Sequence, residues 1–364
     1  MEKINEIINR FEFSGSLVEC RVFGSGHINT TYLLTFDDCG KTNKYILQQV
    51  NPNVFKNIDS LMDNIFKVTS YLRNEIRSCG GDENREALHY IKTRDGKNYY
   101  IAEDGSYFRS YVFVENSVTY NSVDNPDLFK ASGVAFGRFQ RLLSAFPAES
   151  LFETIPDFHN TEKRFQTEFL PALAADVSGR AASCENEIEF VKARHNYCSR
   201  LVDLQAQGKI PTRVTHNDTK LNNVLFDKDS GRAICVIDLD TVMPGLALYD
   251  FGDSIRFGAN TAAEDEADLS KVLINLDYFR AYAEGFLSEA GHSLNETEKS
   301  NLAFASLLMT FECGMRFLTD YLNGDVYFKT EYPEHNLVRA KNQLALVADM
   351  EKHLPEMEEI INNL

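Results

Sequence analysis

The sequence predicts an α+β protein with two lobes, a small one rich in β-strands and a larger one that is mostly helical. One helical pattern, at 54–76, lies among segments that are typical of strands. In those segments apolar and polar residues alternate: 17–36, 44–50, 86–92, 98–103 and 106–115. Three strands, a helix and further strands indicate an antiparallel sheet that carries one main helix. We therefore place the first lobe at 1–115.

The second lobe, at 116–364, is predicted to be mainly helical. Apolar residues recur at helical spacing in segments such as 125–146, 269–290 and 298–323. A short β-like island lies among these helices, because 223–226 and 233–239 are rich in strand formers and an Asp-Ser-Gly turn joins them. We therefore expect a β-hairpin embedded in the helical lobe.

Composition favours a protein that acts on small molecules. The 364 residues carry a formal net charge of −17, which argues against binding to nucleic acids or to anionic membranes. The first residues lack the apolar stretch of a signal peptide, and no long apolar run predicts a membrane span. Seven cysteines without a Cys-x-x-Cys pair fit a reducing compartment, so we expect a cytoplasmic protein. The oligomeric state stays open.

The segment 214–226 contains the pattern His-x-Asp-x-x-x-x-Asn, formed by His216, Asp218 and Asn223, with Lys220 inside it. Phosphoryl transfer needs a carboxylate that accepts the proton of the acceptor hydroxyl, a cation near the phosphoryl group and oxygen ligands for Mg²⁺. The pattern thus predicts Asp218 as the base, Lys220 as a charge-stabilising group and Asn223 as a metal ligand. The alternative is an Asn-rich turn between a helix and a strand.

The predicted hairpin favours Asp238 as the second metal ligand, since its returning strand brings Asp238 back toward Asn223. Asp240 lies two residues farther on and is predicted to bind metal or substrate, or else to be a solvated or turn-capping carboxylate. Asp250 belongs to an Asp-Phe-Gly triplet, the letters of the magnesium-binding motif of protein kinases. No predicted strand returns Asp250 to the hairpin, so we expect it to cap a helix or to brace the catalytic loop through backbone N–H groups.

A glycine pair precedes the second predicted strand. In 23–32 the residues Gly24, Ser25 and Gly26 are followed by Asn29 where a third glycine would complete a phosphate-binding pattern. Two glycines permit the backbone to approach nucleotide phosphates, although the same pair also occurs in plain hairpins. Because Asp218, Asn223 and Asp238 follow, we expect a nucleotide-binding loop.

Several blocks of the chain resemble the aminoglycoside and choline phosphotransferases and, more narrowly, the N-acetylhexosamine 1-kinases of that superfamily. The blocks are 26-GHINTTY-32, 45-YILQQVN-51, 215-THNDTKLNN-223, 237-IDLDTVMPG-245, 249-YDFGDSIRFGA-259, 312-ECGMRFLTDYL-322 and 332-YPEHNLVR-339. The resemblance implies a bilobal protein-kinase-like fold, a nucleotide-binding first lobe and a second lobe for catalysis and substrate binding. It also implies Mg²⁺, ATP as the phosphoryl donor, and transfer to the anomeric hydroxyl of N-acetylglucosamine or N-acetylgalactosamine to give the α-1-phosphate.

One position departs from the wider kinase pattern. The third strand of a kinase carries a lysine that binds nucleotide phosphates, whereas Gln48 or Gln49 stands there in this chain. An amide can bind a phosphate oxygen but lacks the charge, so Gln48 is our expected nucleotide contact. The missing lysine also leaves open an inactive, nucleotide-binding pseudokinase.

The substrate pocket is predicted on the segment 302–323. Arg316 and Asp320 are four residues apart within an apolar stretch, so Arg316 either pairs with Asp320 or faces the sugar. The resemblance favours the sugar, with His27 and Tyr327 as further contacts. A kinase of choline or of an aminoglycoside remains the alternative enzyme, because the acidic charge would suit a cationic substrate.

Overall fold

A computed structural model of the chain describes residues 2–24, 29–51 and 57–364, which form two compact units. The first unit contains the residues up to Val118 together with 145–154 and 224–243. The second contains 119–144, 155–223 and 244–364. The N-terminal segment of the first unit thus ends at Val118, three residues beyond the lobe boundary that we predicted after residue 115. The hairpin, however, belongs to the first unit and not to the helical one.

Antiparallel pairing connects all neighbouring strands of the main sheet in the first unit. The strands of the described residues are β1 (Ser16–Val22), β2 (Thr30–Asp38), β3 (Lys41–Val50), β4 (Tyr90–Ile91), β5 (Tyr100–Ile101), β6 (Tyr107–Val112), β7 (Ser117–Val118), β8 (Arg213–Thr215), β9 (Val224–Asp227), β10 (Ala233–Val236) and β11 (Met243–Gly245). The strand order of the main sheet is β1-β2-β3-β6-β4, and β5 also pairs with β6.

Apolar side chains on one face of this sheet form a core with the N-terminal segment. Leu34, Leu47 and Phe108 come from three neighbouring strands and are almost completely buried with Phe11. Leu33 and Ile46, their neighbours on β2 and β3, belong to the opposite face by the two-residue period of a strand and are buried as well. Both faces of these two strands are therefore buried at these positions.

The hairpin joins the first unit because a third strand extends it. Its two strands, β9 and β10, pair so that Val224 lies opposite Val236. Strand β7 pairs with β9 on the other side, with Val118 opposite Phe226. Strand β7 follows β6 of the main sheet in the chain, so the backbone hydrogen bonds between β7 and β9 attach the hairpin to the first unit. A sequence pattern cannot reveal this pairing, because it joins residues more than a hundred positions apart.

The second unit consists mainly of helices. Its core includes α12 (Leu302–Leu322), which is mostly buried over its whole length. In the two units together, the helices of the described residues are α1 (Glu2–Ile8), α2 (Ile58–Ser78), α3 (Pro126–Leu142), α4 (Thr161–Arg164), α5 (Leu170–Ala175), α6 (Glu185–Ala193), α7 (His195–Cys198), α8 (Arg200–Ala206), α9 (Ala247–Gly258), α10 (Leu276–Ala290), α11 (Glu296–Ser300), α12 (Leu302–Leu322) and α13 (His335–Asn362). Of these, α1 and α2 belong to the first unit.

Helix α12 is the single helix in the described part of the chain whose length and composition would allow it to cross a membrane. No such segment is predicted from the sequence. Within the protein, 89% of its most apolar stretch is buried, as in the core helix of a globular unit. Its length and hydropathy are therefore weak evidence for a membrane span.

Helices α3 and α10 approach closely because glycines face the opposite backbone. A Cβ atom at Gly285 would lie 2.1 Å from the carbonyl oxygen of Lys130. At Gly133 it would lie 2.4 Å from the carbonyl oxygen of Tyr282. These distances are too short for any side chain, so the two helices require glycine at the crossing.

We predict that Gly285→Ala lowers the free energy of unfolding by about 1–3 kcal/mol, because the added methyl group forces the two helices apart. Urea unfolding would measure the difference. Arg280→Ala, at an exposed position of the same helix, is the control and should change stability by less than about 0.5 kcal/mol. Equal stability of the two variants would contradict the prediction.

Candidate functional site

The predicted catalytic loop follows β8 and ends in a short 3₁₀ turn, Leu221–Asn223. Asn217, directly before Asp218, has a φ of 64°, in the left-handed region that non-glycine residues rarely adopt. Such a conformation costs free energy and persists where surrounding contacts fix it.

Asp250 supplies contacts that fix the loop. Its buried carboxylate accepts backbone N–H groups from His216 at 2.9 Å and from Asn217 at 2.8 Å, and the side-chain amide of Gln140 at 2.8 Å. Burial raises the pKa of Asp250 above its ordinary value, against the opposing effect of His216 and of these hydrogen bonds. The carboxylate thus braces the loop through its backbone.

The Asp-Phe-Gly triplet lies within helix α9. A Cβ atom at Gly252 would lie 2.5 Å from the carbonyl oxygen of Ala305, so this glycine allows α9 and α12 to pack closely. Phe251 is completely buried. The triplet therefore serves helix packing and the support of the loop.

Asp253 is a second support that the sequence analysis missed. Its carboxylate accepts the backbone N–H of Thr219 at 3.0 Å and the Nε–H of Arg256 at 3.1 Å. Burial would raise the pKa of Asp253, but Arg256 and Lys220 outweigh it and lower the pKa. The spacing from Asp250 was the available signal, because residues three apart share a helix face.

Within the loop, three of the predicted residues contact one another. Lys220 Nζ lies 2.8 Å from Asp218 Oδ1, and the Asn223 amide donates to the main-chain oxygen of Asp218 at 2.8 Å and to its Oδ2 at 3.2 Å. Burial would lower the pKa of Lys220, but attraction to Asp218 outweighs it, so the pKa is raised and the ammonium stays charged. His216 is buried, and its Nδ1 accepts the N–H of Asp218 at 3.3 Å.

Asp238 lies in the first unit, two residues after β10. Its φ and ψ are both 60°, again left-handed, and a 3₁₀ turn, Leu239–Thr241, follows it. Asp240 within this turn is only 4% exposed. It forms an ion pair with Arg109 and accepts the Asn29 amide at 2.9 Å. The alternative of a solvated carboxylate at Asp240 is therefore wrong, and its contact with metal or substrate stays a prediction.

The side chain of Gln48 contacts protein groups at both ends. Its Oε1 accepts the Nε–H of Arg109 at 3.0 Å, and its Nε2 donates to Thr31 Oγ1 at 3.2 Å. Gln49 donates to Ser106 Oγ at 3.2 Å. Burial alone would lower the pKa of Arg109, but Asp240, Tyr90 and Asp238 raise it. Gln48 therefore supports a buried cation on the neighbouring strand.

Part of the predicted glycine loop can be described. Gly24 has a φ of 78°, which favours glycine. Ser25, Gly26 and His27 lie outside the described residues, so their predicted contacts with nucleotide and substrate stay predictions.

The alternative ion pair between Arg316 and Asp320 does not form among the described residues. Asp320 instead accepts the backbone N–H groups of Val326, Tyr327 and Phe328 at 2.8–3.0 Å, and the Asn336 amide at 2.8 Å. The Arg316 guanidinium lies 5.4–5.7 Å from three ring centroids: Phe158, Tyr327 and Phe328. No carboxylate in the described ranges forms an ion pair with it, so its N–H groups can serve a ligand.

Glu312 lies one helical turn before Arg316 and is buried. It contacts His159 Nδ1 at 2.8 Å and accepts the hydroxyl of Thr161 at 2.7 Å. Burial would raise the pKa of Glu312, but His159, Arg164 and Arg316 outweigh it and lower the pKa to about 2.

The predicted metal ligands offer the donor atoms that Mg²⁺ prefers. The nitrogen of the Asn223 amide is used by Asp218, which leaves its carbonyl oxygen as the ligand atom. Asp238 supplies a carboxylate. Mg²⁺ binds a few protein oxygens and keeps several waters, so an amide and a carboxylate fit it. Among the described residues, no three His, Cys, Asp or Glu side chains are grouped to hold a metal.

A cavity of about 710 Å³ lies in the first unit, and none of the predicted site residues that the structure describes lines it. Its lining includes Asp59, Met62, Tyr99 and Phe152. The hydroxyl of Tyr99 already donates to Asp59, so part of its polar lining is paired.

Comparison with known proteins establishes the family. Residues 19–284, more than half of the chain, match the model of a phosphotransferase enzyme family. The chain therefore belongs to this family and is a phosphotransferase.

Solved structures show the same fold at low sequence identity. A spectinomycin phosphotransferase in complex with ADP and spectinomycin is 13% identical, with a TM-score of 0.57 over 98% of both chains. Choline kinase from Cryptosporidium parvum is 13% identical, with a TM-score of 0.54 over 95% of this chain and 92% of that one. Ethanolamine kinase from Plasmodium vivax is 14% identical, with a TM-score of 0.52 over 89% and 81%. The predicted kinase-like α+β fold is thus confirmed.

We predict that Asp250→Asn lowers the free energy of unfolding by about 1–3 kcal/mol, because an amide cannot accept all the N–H groups that the carboxylate accepts. Chemical unfolding would measure the loss, and hydrogen exchange at His216 and Asn217 should become faster. Asp203→Asn, at an exposed position of α8, is the control and should leave both unchanged. Wild-type exchange in Asp250→Asn would contradict the role.

A second prediction concerns acid stability. Because the pKa of Glu312 falls from 4.5 to about 2 on folding, its stabilising contribution is present above pH 4.5 and is lost as the pH falls toward 2. Between pH 6 and 3 the wild type should lose about 2 kcal/mol more than Glu312→Gln. Urea unfolding at each pH would measure both proteins. Parallel pH profiles would show that the carboxylate does not titrate as predicted.

Proposed function

We propose that the protein is an ATP- and Mg²⁺-dependent kinase that phosphorylates the anomeric 1-hydroxyl of N-acetylhexosamines to the α-1-phosphate. The observation that carries the catalytic part is the Asp218 carboxylate, whose loop is fixed by two buried carboxylates and which has the Lys220 ammonium on one oxygen. Family membership supports phosphoryl transfer in general.

In the proposed reaction, the acceptor hydroxyl transfers its proton to Asp218 as its oxygen bonds to the γ-phosphorus of ATP. The bond between that phosphorus and the bridging oxygen breaks, and ADP leaves. Lys220 offsets the negative charge beside the acceptor. Mg²⁺, held by Asn223 and Asp238, would neutralise charge on the phosphates. Gly24, Ser25, Gly26 and Gln48 are the proposed nucleotide contacts.

Arg316 supports a neutral sugar as acceptor. Its guanidinium, which forms no ion pair with any described residue, can donate to a carbonyl or to hydroxyl groups, and the adjoining aromatic faces can pack against an acetamide methyl group. A cationic acceptor would instead meet a like charge. We propose Arg316, Tyr327, His27 and Asp240 as the substrate-binding residues, with His216 and Asp250 as supports. A cytoplasmic location without nucleic-acid or membrane partners belongs to this proposal.

A second candidate is a kinase of a cationic small molecule. The net charge of −17 favours it, as do fold relatives described as choline, ethanolamine and spectinomycin kinases. A pseudokinase that binds nucleotide without turnover is the remaining alternative.

We predict that purified protein with ATP and Mg²⁺ releases ADP when N-acetylglucosamine or N-acetylgalactosamine is supplied. A coupled ADP assay across both sugars, choline, ethanolamine and spectinomycin separates the candidates, and product analysis identifies the 1-phosphate. Asp218→Asn should lower kcat about 10²–10⁴-fold because the proton acceptor is lost. Asp238→Asn should abolish Mg²⁺-dependent transfer and keep the fold.

The matched control is Asp229→Asn, at the exposed turn of the same hairpin, which should retain activity. Turnover of choline without turnover of either sugar would overturn the proposal in favour of the second candidate. ATP binding without any turnover would favour the pseudokinase.

A further inference from the structure

Arg109 is the largest fully buried side chain in the described residues, at 1% exposure. It lies in β6 directly opposite Gln48 of β3, the position where a kinase lysine is missing. The first unit therefore still contains a buried cation next to that position, supplied by the neighbouring strand.

Each part of the Arg109 side chain has a defined neighbour. Its Nε donates to Gln48 at 3.0 Å, its Nη1 forms an ion pair with Asp240, and its Cζ lies 5.9 Å from the ring centroid of Tyr90. Desolvation offsets much of the attraction within a buried ion pair, so the pair by itself adds little to the stability of the fold.

The partner of Arg109 lies in the segment that carries the proposed metal ligand. We call Asp238–Asp240 the aspartate turn. It begins in a left-handed conformation at Asp238 and needs outside contacts to hold it. Arg109 and the Asn29 amide hold it through Asp240.

Helix α2 holds the chain just after the aspartate turn. The completely buried amide of Asn64 donates to the carbonyl oxygen of Val242 at 3.0 Å. The same side chain bonds Phe152 through its backbone N–H and carbonyl. The Asn64 amide therefore fixes the backbone at Val242, and the Arg109 cation fixes the side chain of Asp240. Both positions follow Asp238 closely in the chain.

We propose that Arg109 is a positioning residue for Asp238: it supplies a buried cation beside the position of the missing third-strand lysine and holds the aspartate turn, through Asp240, in the conformation that presents Asp238 to Mg²⁺. The inference rests on the proposed function, since it assigns Asp238 to the metal. It also explains why Gln48 is neutral, because an amide oxygen accepts from Arg109 where a lysine would repel it.

The test uses the full chain with Mg²⁺ and ADP as probes. Arg109→Met leaves Asp240 as a buried charge without its partner, so it should unfold at lower temperature. The double variant Arg109→Met/Asp240→Asn removes both charges, keeps an acceptor for Asn29 and should recover much of the lost stability. Calorimetry then measures ADP affinity with and without Mg²⁺ for each protein that folds.

We expect the double variant to lose about 10–100-fold in the Mg²⁺-dependent part of ADP affinity, the usual effect of removing a group that orients a metal ligand. ADP affinity without Mg²⁺ should stay within about threefold of the wild-type value, because no nucleotide contact is removed. Arg109→Lys should restore part of the Mg²⁺ effect. The control is Arg85→Met, which removes an ion pair to Asp227 on the same hairpin, and it should behave as wild type.

The possible outcomes separate the two proposals. A folded double variant with the wild-type Mg²⁺ effect would overturn the role of Arg109 and leave the proposed function standing. A wild-type protein whose ADP affinity does not depend on Mg²⁺ would overturn both. Loss of the Mg²⁺ effect in Arg85→Met as well would show a general response of the hairpin and would also overturn the inference.

Discussion

The buried carboxylate of Asp250 is the constraint on which the predicted catalytic loop depends. It accepts consecutive backbone N–H groups, so it fixes the loop at Asn217, where the backbone is left-handed, and thereby fixes Asp218. Asp253, one helical turn later, fixes Thr219 in the same way. Carboxylates suit this role because each oxygen can accept more than one hydrogen bond. Asp218, the proposed base, belongs to a loop, but the two carboxylates that hold this loop belong to helix α9.

The first unit uses a related device around Asp238. There the left-handed residue begins a turn that is held by a buried ion pair, between Asp240 and Arg109, and by the Asn64 amide. In both units, a left-handed residue lies at or beside a proposed functional carboxylate: Asn217 precedes Asp218, and Asp238 is left-handed itself. Buried polar contacts hold the chain at both places. Since strain persists only where surrounding contacts enforce it, this coincidence is a physical reason to place function there.

Near Arg316, the carboxylate of Asp320 could have formed an ion pair with the guanidinium, but it binds other groups. Asp320, the carboxylate four residues away, is fully engaged by the backbone of 326–328 and by Asn336. That arrangement orders the segment carrying Tyr327 and leaves the guanidinium among aromatic rings. Spacing alone could not choose between the two outcomes, because residues four apart on a helix are always within reach.

The sequence by itself determined the fold class, the hairpin and the loop pattern around Asp218, because strand and helix periods and short spacings are local properties. It also indicated that Asp250 supports the loop. Only the tertiary structure decided that the hairpin pairs with β7, that Asp240 is buried, and that a cation opposite Gln48 comes from Arg109. These contacts join residues up to about two hundred positions apart, and such pairings depend on which surfaces the folded chain buries together.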